Sequence, residues 1–218
     1  MIEAVIFDMD GLMIDSERVT FEGYQHVLKK DNLTMSEETY KTLLGKTVKA
    51  VYELFANDYG KQYDVDRVIK EVHQYIADRF ENDGVPLKKG LLELLKYLKE
   101  NNYKTIVATS SHRSRVDLIL KQAKITEYFD DSICGDEVTH GKPDPEVFLK
   151  ACQKLNVSPD KALVLEDSES GINAAYNAKI KVIGIPDMKY PDEKYVQMTY
   201  SIMNDLLEVR DFLINQKK

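Results

Sequence analysis

The sequence predicts an α/β fold: a doubly wound, Rossmann-like parallel sheet with an all-helical domain inserted after its first strand. The first observation is a set of short runs that are apolar on both faces, as in strands covered by helices on two sides. These runs are residues 4–7, 105–108, 132–134, 162–165 and 182–185. The second observation is that helical patterns separate the later runs, which is typical of parallel crossover units. The helical patterns are residues 91–98, 116–120, 147–155 and 171–178, and a last helix is expected over residues 204–215.

The third observation is the long interval between the first two strands. Residues 16–83 contain no run rich in β-branched residues, but they do contain apolar residues at helical spacing, from Val65 to Phe80. The interval is too long for a crossover helix, so it predicts an inserted helical cap domain. The predicted domains are therefore an α/β core formed by residues 1–15 and 84–218 and a cap formed by residues 16–83.

Composition narrows the classes of function. The chain has 218 residues with 30 basic and 37 acidic side chains, and its net charge of −7 argues against a nucleic-acid or anionic-membrane partner. Cys134 and Cys152 form no C-x-x-C pair, which argues against a disulfide framework or a cysteine-rich zinc site. The sequence also lacks an apolar stretch of about 18 residues and a basic signal region. We therefore expect a cytoplasmic monomer that acts on a small molecule.

Reactive side chains follow three of the predicted strands. Asp8 and Asp10 follow the first strand, Thr109 follows the second, and Glu166 and Asp167 close the fourth. In an open parallel sheet, ligands bind outside the carboxyl ends of the strands. Taken alone, Asp167 is also explained as a helix cap and Thr109 as a strand-end hydroxyl group. Together they predict a site at one edge of the sheet.

Lys142 is the last residue of the predicted site. Together with the residues at the strand ends, it gives the chain a resemblance to a known family. It lies in the segment 141–146, where two prolines predict a rigid loop before a helix. The segment Asp8-Met9-Asp10-Gly11, followed in order by Thr109, Lys142 and Glu166-Asp167, resembles the four motifs of the haloacid dehalogenase-like hydrolases. Within that family the chain is most similar to the branch with a helical cap, which contains β-phosphoglucomutase and many sugar-phosphate phosphatases.

The resemblance implies phosphoryl transfer through an aspartyl phosphate. Such a reaction needs a nucleophile, a proton donor for the leaving oxygen and positive charge around the transferred group. Asp8 would be the nucleophile, and Asp10 would protonate the leaving alcohol and then activate water. Thr109 would donate a hydrogen bond to the phosphoryl oxygens, and Lys142 would supply fixed positive charge.

The resemblance also implies a magnesium cofactor. A carboxylate that attacks a phosphate dianion meets charge repulsion, and Mg²⁺ suits a site made only of oxygen ligands. The implied ligands are Asp8, the backbone carbonyl of Asp10, and Asp167. Glu166 would bind the ion either directly or through water.

Candidate substrate contacts are less specific. They are Ser110, His112, Arg18, Lys46 and Lys49. The backbone amides at the predicted helix start favour an anion near Ser110 and His112, although a solvated histidine explains the latter equally well. The three cations of the cap are equally compatible with an ordinary surface.

Three functions remain open from the sequence. The leading interpretation is a magnesium-dependent phosphatase of small phosphorylated metabolites, in particular sugar phosphates. The first alternative is a phosphosugar mutase of the β-phosphoglucomutase type, but Thr20 and Val48 stand where that enzyme carries a histidine and an arginine. The second alternative is a non-catalytic, phosphate-binding regulatory module, which the presence of both Asp8 and Asp10 disfavours.

Overall fold

The structure is a computed structural model of the chain, and it describes residues 1–45, 48–60 and 62–216. The chain divides into two compact units. One unit is formed by Met1–Asp15 with Val85–Lys218, and the other, called here the helical unit, is formed by Ser16–Gly84.

Within the described residues, the first unit contains one sheet of six strands. The strands are β1 Ala4–Phe7, β2 Lys104–Ala108, β3 Asp131–Ile133, β4 Ala162–Glu166, β5 Lys181–Gly184 and β6 Ser201–Ile202. Their order is β3-β2-β1-β4-β5-β6, and every neighbouring pair is parallel. The predicted doubly wound α/β fold is therefore confirmed.

The helices of the described residues follow in chain order. They are α1 Ser16–Lys29, α2 Glu37–Lys41, α3 Val48–Asp58, α4 Val65–Asp83, α5 Leu91–Glu100, α6 Arg113–Gln122, α7 Glu146–Leu155, α8 Glu169–Asn177, α9 Glu193–Val196 and α10 Leu206–Gln216. The first four make up the helical unit. No helix in the described part of the chain is both long enough and apolar enough to cross a membrane.

The strand order has a consequence for the position of the site. From β1 the chain winds outward through β2 and β3, and it then returns to the other side of β1 to form β4. The strand order therefore reverses between β1 and β4, where open α/β sheets bind their ligands. Phe7 pairs with Leu165 across these two strands, so the residues that follow each strand leave the sheet side by side.

The elements of the first unit differ from the predictions mainly at their ends. Strand β6 was not predicted, because two half-buried residues are too short to form a period. Helix α6 begins at Arg113, three residues before the predicted apolar pattern, because its first turn is polar. Ser168 caps α8 by accepting a hydrogen bond from the Gly171 amide at 3.1 Å.

The helical unit is held together by an apolar interior and by ion pairs at its surface. Helix α4 buries the predicted face that runs from Val65 to Phe80. Charged pairs link the end of α1 to α4: Lys30 Nζ lies 2.8 Å from Glu71 Oε2, and Arg67 contacts Asp31. Hydrogen bonds from Tyr63 and Arg67 hold the pKa of Asp31 below its usual range.

Candidate active site

Three carboxylates meet at the switch point of the sheet. Asp8 directly follows β1, and its amide donates to the Leu165 carbonyl of β4 at 3.1 Å. One carboxylate oxygen from each of Asp8, Glu166 and Asp167 lies within 4.8 Å of the other two. The structure therefore brings together three of the four residues predicted to hold a metal. The fourth, Asp10, was predicted to contribute its backbone carbonyl.

Lys142 is the cation beside these acids. Its Nζ lies 2.5 Å from Asp8 Oδ1 and 2.6 Å from Glu166 Oε1, and only 5% of its side chain is exposed. The ammonium group also lies 5.0 Å from the centre of the Phe148 ring. A buried lysine with two carboxylate partners keeps its charge, because both partners stabilise the ammonium form.

The loop that carries Lys142 is fixed by its own acids. Glu146, at the start of α7, accepts hydrogen bonds from the backbone amides of Thr139 and His140, at 3.0 Å and 2.8 Å. Asp144 in turn accepts a hydrogen bond from the Glu146 amide at 2.9 Å. Hydrogen bonds from Lys150 and the two loop amides lower the pKa of Glu146 to about 2. The loop is therefore stabilised by the Glu146 carboxylate, which stays charged.

The acids of the cluster are poorly compensated. Burial raises the pKa of Asp8 to about 7, although Lys142 opposes the shift, and the neighbouring Glu166 adds to it. The pKa of Asp167 is raised by burial and then by Glu166 and Asp8. Burial lowers the pKa of Lys142, but Asp8 and Glu166 outweigh this effect and raise it overall. Three carboxyl groups surround a single ammonium group, so the charge balance of the cluster favours the binding of a further cation.

Glu166 and Asp167 occupy space that only glycine leaves free. Glu166 is fully buried: its Oε1 accepts from Lys142, and its Oε2 accepts from the amide and the hydroxyl of Ser168 at 2.7 Å and 2.9 Å. A Cβ atom on Gly171 would lie 1.7 Å from Glu166 Oε1. A Cβ atom on Gly11, whose φ is +81°, would lie 2.2 Å from Asp167 Oδ2. Both glycines are therefore required by close approach to a carboxylate.

Asp10 has a separate set of partners. Ser111 Oγ donates to Asp10 Oδ2 at 2.7 Å, and an Arg115 guanidinium nitrogen lies 2.5 Å from Asp10 Oδ1. Sequence reasoning named neither partner as a site residue. Arg115 resembles any surface cation of a helix. The available signal was its position in the first turn of the helix that follows Thr109, where side chains lean back toward the helix start.

Thr109 lies at the end of β2, and its neighbours face different surroundings. Thr109 is 2% exposed, its amide donates to the Ile133 carbonyl at 3.0 Å, and its hydroxyl accepts from the Ser111 amide at 3.2 Å. Ser110 is exposed. His112 precedes α6 with its side chain 80% exposed and its Nδ1 3.9 Å from Asp136 Oδ2. The roles of Ser110 and His112 in substrate binding stay predictions.

The remaining candidates belong to the helical unit. Arg18 lies exposed on α1, and Lys49 on α3 is 84% exposed with its Nζ 3.7 Å from Glu53 Oε1. Lys46 lies outside the described residues. Thr20 donates its hydroxyl hydrogen to the Ser16 carbonyl at 2.8 Å within α1. Substrate binding by Arg18, Lys46 and Lys49 stays a prediction.

One buried acid near the cluster was missed. Asp187, which follows β5, accepts a hydrogen bond from Lys88 Nζ at 2.5 Å and has a side chain only 9% exposed. Its charge contributes to the raised pKa of Asp167. The signal was its position after a strand, the same position that identified the other acids.

Known proteins are similar to this chain in sequence and in fold. The family model described as haloacid dehalogenase-like hydrolase matches residues 5–185. The chain is 33% identical, over 83% of each chain, to a phosphorylated carbohydrates phosphatase of Thermotoga maritima. It is 30% identical to a validoxylamine A 7'-phosphate phosphatase of Streptomyces hygroscopicus subsp. limoneus, over 96% of this chain and 97% of the relative.

A solved structure is similar to this chain over nearly its whole length. It comes from Thermotoga maritima and is provisionally named a β-phosphoglucomutase. It superimposes with a TM-score of 0.83 at 28% identity, over 98% of this chain and 99% of its own. The chain belongs to the haloacid dehalogenase-like hydrolases.

Proposed function

We propose that this protein is a magnesium-dependent phosphoric monoester hydrolase that releases phosphate from small phosphorylated metabolites, in particular sugar phosphates. The observation that carries the proposal is the buried Asp8 carboxylate at the switch point, held by Lys142 beside Glu166 and Asp167. Two relatives that match most of the chain are named as phosphatases of phosphorylated carbohydrates and of validoxylamine A 7'-phosphate. Their names support the class of reaction and the class of substrate.

The cluster suits a magnesium ion. Its donors are all oxygens, and among the described residues the Lys142 ammonium group pairs with Asp8 and Glu166 but with no oxygen of the half-buried Asp167. We assign Asp8, Asp167 and the backbone carbonyl of Asp10 as the residues that hold the ion. Both oxygens of Glu166 already accept hydrogen bonds, so we assign Glu166 to contact it through water. The bound ion would supply positive charge between the nucleophile and the phosphate dianion.

The residues of the chain divide the reaction between them. An oxygen of Asp8 attacks phosphorus, the bond to the leaving oxygen breaks, and that oxygen takes a proton from Asp10. Thr109 donates its hydroxyl hydrogen to a phosphoryl oxygen, and the fixed charge of Lys142 opposes the negative charge that builds up in the transition state. Water then attacks the aspartyl phosphate, Asp10 takes the proton, and phosphate leaves.

A mutase is the second candidate, and one observation favours it. The similar Thermotoga structure is provisionally named a β-phosphoglucomutase. A mutase must keep water off the aspartyl phosphate until a sugar binds, which demands close recognition of the sugar ring. Thr20 and Val48 replace the histidine and the arginine expected for that recognition. We therefore favour water as the final acceptor.

The deciding experiment measures two products at once. The protein is incubated with β-glucose 1-phosphate, Mg²⁺ and a trace of glucose 1,6-bisphosphate, and a panel of other sugar phosphates is run in parallel. We expect free phosphate to exceed glucose 6-phosphate, and we expect several sugar phosphates to be hydrolysed. Faster formation of glucose 6-phosphate would establish the mutase. Absence of phosphate release across the whole panel, together with no labelled protein from a phosphate-labelled substrate, would support a regulatory module.

A further inference from the structure

The contacts of Asp10 differ in kind from those of the other acids. Asp8 and Glu166 share one buried lysine, whereas Asp10 is partly exposed and has its own cation in Arg115. The Ser111 hydroxyl donates a hydrogen bond to the other carboxylate oxygen of Asp10. Each carboxylate oxygen of Asp10 therefore has a defined donor, and this fixes the plane and the direction of the group.

Both donors come from the segment that also carries Thr109. Ser111 lies two residues after Thr109, and Arg115 lies in the first turn of α6. Side chains in a first turn lean toward the helix start, so the Arg115 guanidinium group reaches back to the end of β2. The proton-transfer residue is thus tied to the element that carries the proposed phosphate-binding hydroxyl.

Arg113, on the same turn, does not share this role. Its guanidinium group donates to the Ser132 carbonyl at 2.9 Å and pairs with Glu137. These contacts fasten α6 to β3 and to the turn after it. Of the two arginines, only Arg115 contacts an acid of the candidate site.

We propose that Arg115 is a positioning residue that orients Asp10 as the base for hydrolysis of the aspartyl phosphate. This inference rests on the proposed function, because it requires a phosphoenzyme. In the step concerned, a water oxygen attacks phosphorus and the bond between phosphorus and the Asp8 oxygen breaks. The water proton passes to Asp10, the Asp8 carboxylate is restored, and inorganic phosphate is released.

The contact favours the second half of the reaction over the first. A guanidinium group carries only donors, so it supports Asp10 as an acceptor. Asp10 is an acceptor when it takes the proton of water, but it is a donor when it protonates the leaving alcohol. Removal of Arg115 should therefore slow the hydrolysis of the phosphoenzyme more than its formation.

The test uses p-nitrophenyl phosphate, whose leaving group departs without a proton from Asp10. A rapid burst of nitrophenolate then reports formation of the phosphoenzyme, and the steady state reports its hydrolysis. For Arg115→Ala we expect a burst that approaches one equivalent per site and a kcat that falls at least tenfold. Arg115→Lys keeps one charged donor at this position, so its kcat should lie within about threefold of the wild-type value. Lys121→Ala removes an exposed cation from the same helix and should change neither phase.

The outcomes separate this inference from the proposed function. Asp10→Asn gives the limiting behaviour, with a full burst and almost no turnover. An unchanged or raised kcat in Arg115→Ala would overturn the role of Arg115. An equal fall of burst rate and turnover with a lowered melting temperature would show a merely structural role and would also overturn it. A wild-type protein that forms no labelled phosphoenzyme with any substrate would instead overturn the proposed function, and this inference with it.

Discussion

The α/β unit and the helical unit use the same residue types in opposite ways. In the α/β unit Lys142 is 5% exposed and bridges two carboxylates, whereas in the helical unit Lys49 is 84% exposed and lies near a single glutamate. A buried charge needs partners to offset the loss of its hydration, whereas a solvated charge needs none. The position of the Lys142 charge is therefore determined by its two carboxylate partners, whereas solvent can satisfy the charge of Lys49.

The contrast shows where function can be inferred. A polar residue at the end of a buried strand is held by the sheet at a known place, so its neighbours can be deduced from strand order. A cation on an exposed helix has no such restraint. We expect large effects on catalysis from the first class of residue and small effects from the second.

The largest effect is expected at Asp8. Asp8→Asn keeps the shape of the side chain but removes the nucleophile, so we expect kcat/KM to fall at least thousandfold, or ~4 kcal/mol. The melting temperature should not fall, because a buried and poorly compensated charge is removed. Asp117→Asn, at a mostly exposed position on α6, is the matched control. Residual activity within tenfold of the wild type would show that Asp8 is not the nucleophile.

The next largest effect is expected on removal of divalent ions. A chelator should stop phosphate release, and Mg²⁺ should restore it. Ca²⁺ should not restore it, because its larger and looser coordination misplaces the nucleophile. Asp167→Ala should raise the Mg²⁺ concentration needed for half-maximal activity by at least tenfold, whereas Asp211→Ala on the exposed face of α10 should not change it. Full activity in the chelator would contradict the assignment of the acid cluster as a metal site.

The sequence predicted the acids more completely than the partners that orient them. The sequence could predict that Asp8, Glu166 and Asp167 lie close together, because each of them ends or follows a strand and the carboxyl ends of parallel strands lie at one edge of the sheet. Arg115 was missed, because its position in the first turn of α6 does not by itself show that its side chain reaches Asp10. Asp187 follows the strand-end rule, but the segment after β5 has no motif to draw attention to it.

The helices illustrate the same limit. The apolar face from Val65 to Phe80 predicted α4 because its spacing is regular over several turns. The short helix α9 and the two-residue strand β6 could not be predicted, because neither is long enough to show a period. Local pattern was thus sufficient for the long helix α4 but not for α9 and β6.

The pH dependence of stability should differ between the two units. The pKa of Asp8 is about 7 in the folded protein and ~3.9 in an unfolded chain. Between these values the folded state binds more protons, so the free energy of unfolding should fall as the pH rises from about 4 to 7. Asp31 in the helical unit has a lowered pKa, so its contribution should instead be lost as the pH falls through the acid range.

Thermal unfolding of the metal-free protein measures these contributions. We expect the melting temperature to be lower at pH 8 than at pH 5, by an amount that corresponds to ~1–3 kcal/mol. Asp8→Asn should flatten this slope, and Mg²⁺ should reduce it by offsetting the charge of the cluster. Asp31→Asn should not change the slope of melting temperature between pH 5 and pH 8, and it should reduce only the loss of stability at acid pH. A melting temperature that rises steadily from pH 5 to pH 8 in the metal-free wild type would contradict the raised pKa of Asp8.

The smallest effects are expected at the exposed cations of the helical unit. Arg18→Ala and Lys49→Ala each remove one exposed charge, so we expect KM to rise by about threefold at most, or ~0.6 kcal/mol, with kcat unchanged. Lys70→Ala on α4 is the control, because it removes an exposed cation that is not a candidate substrate contact. A tenfold rise of KM in either variant, absent from the control, would show that solvated helix cations do select the substrate. The rule that function follows burial would then hold for the chemical step and fail for recognition.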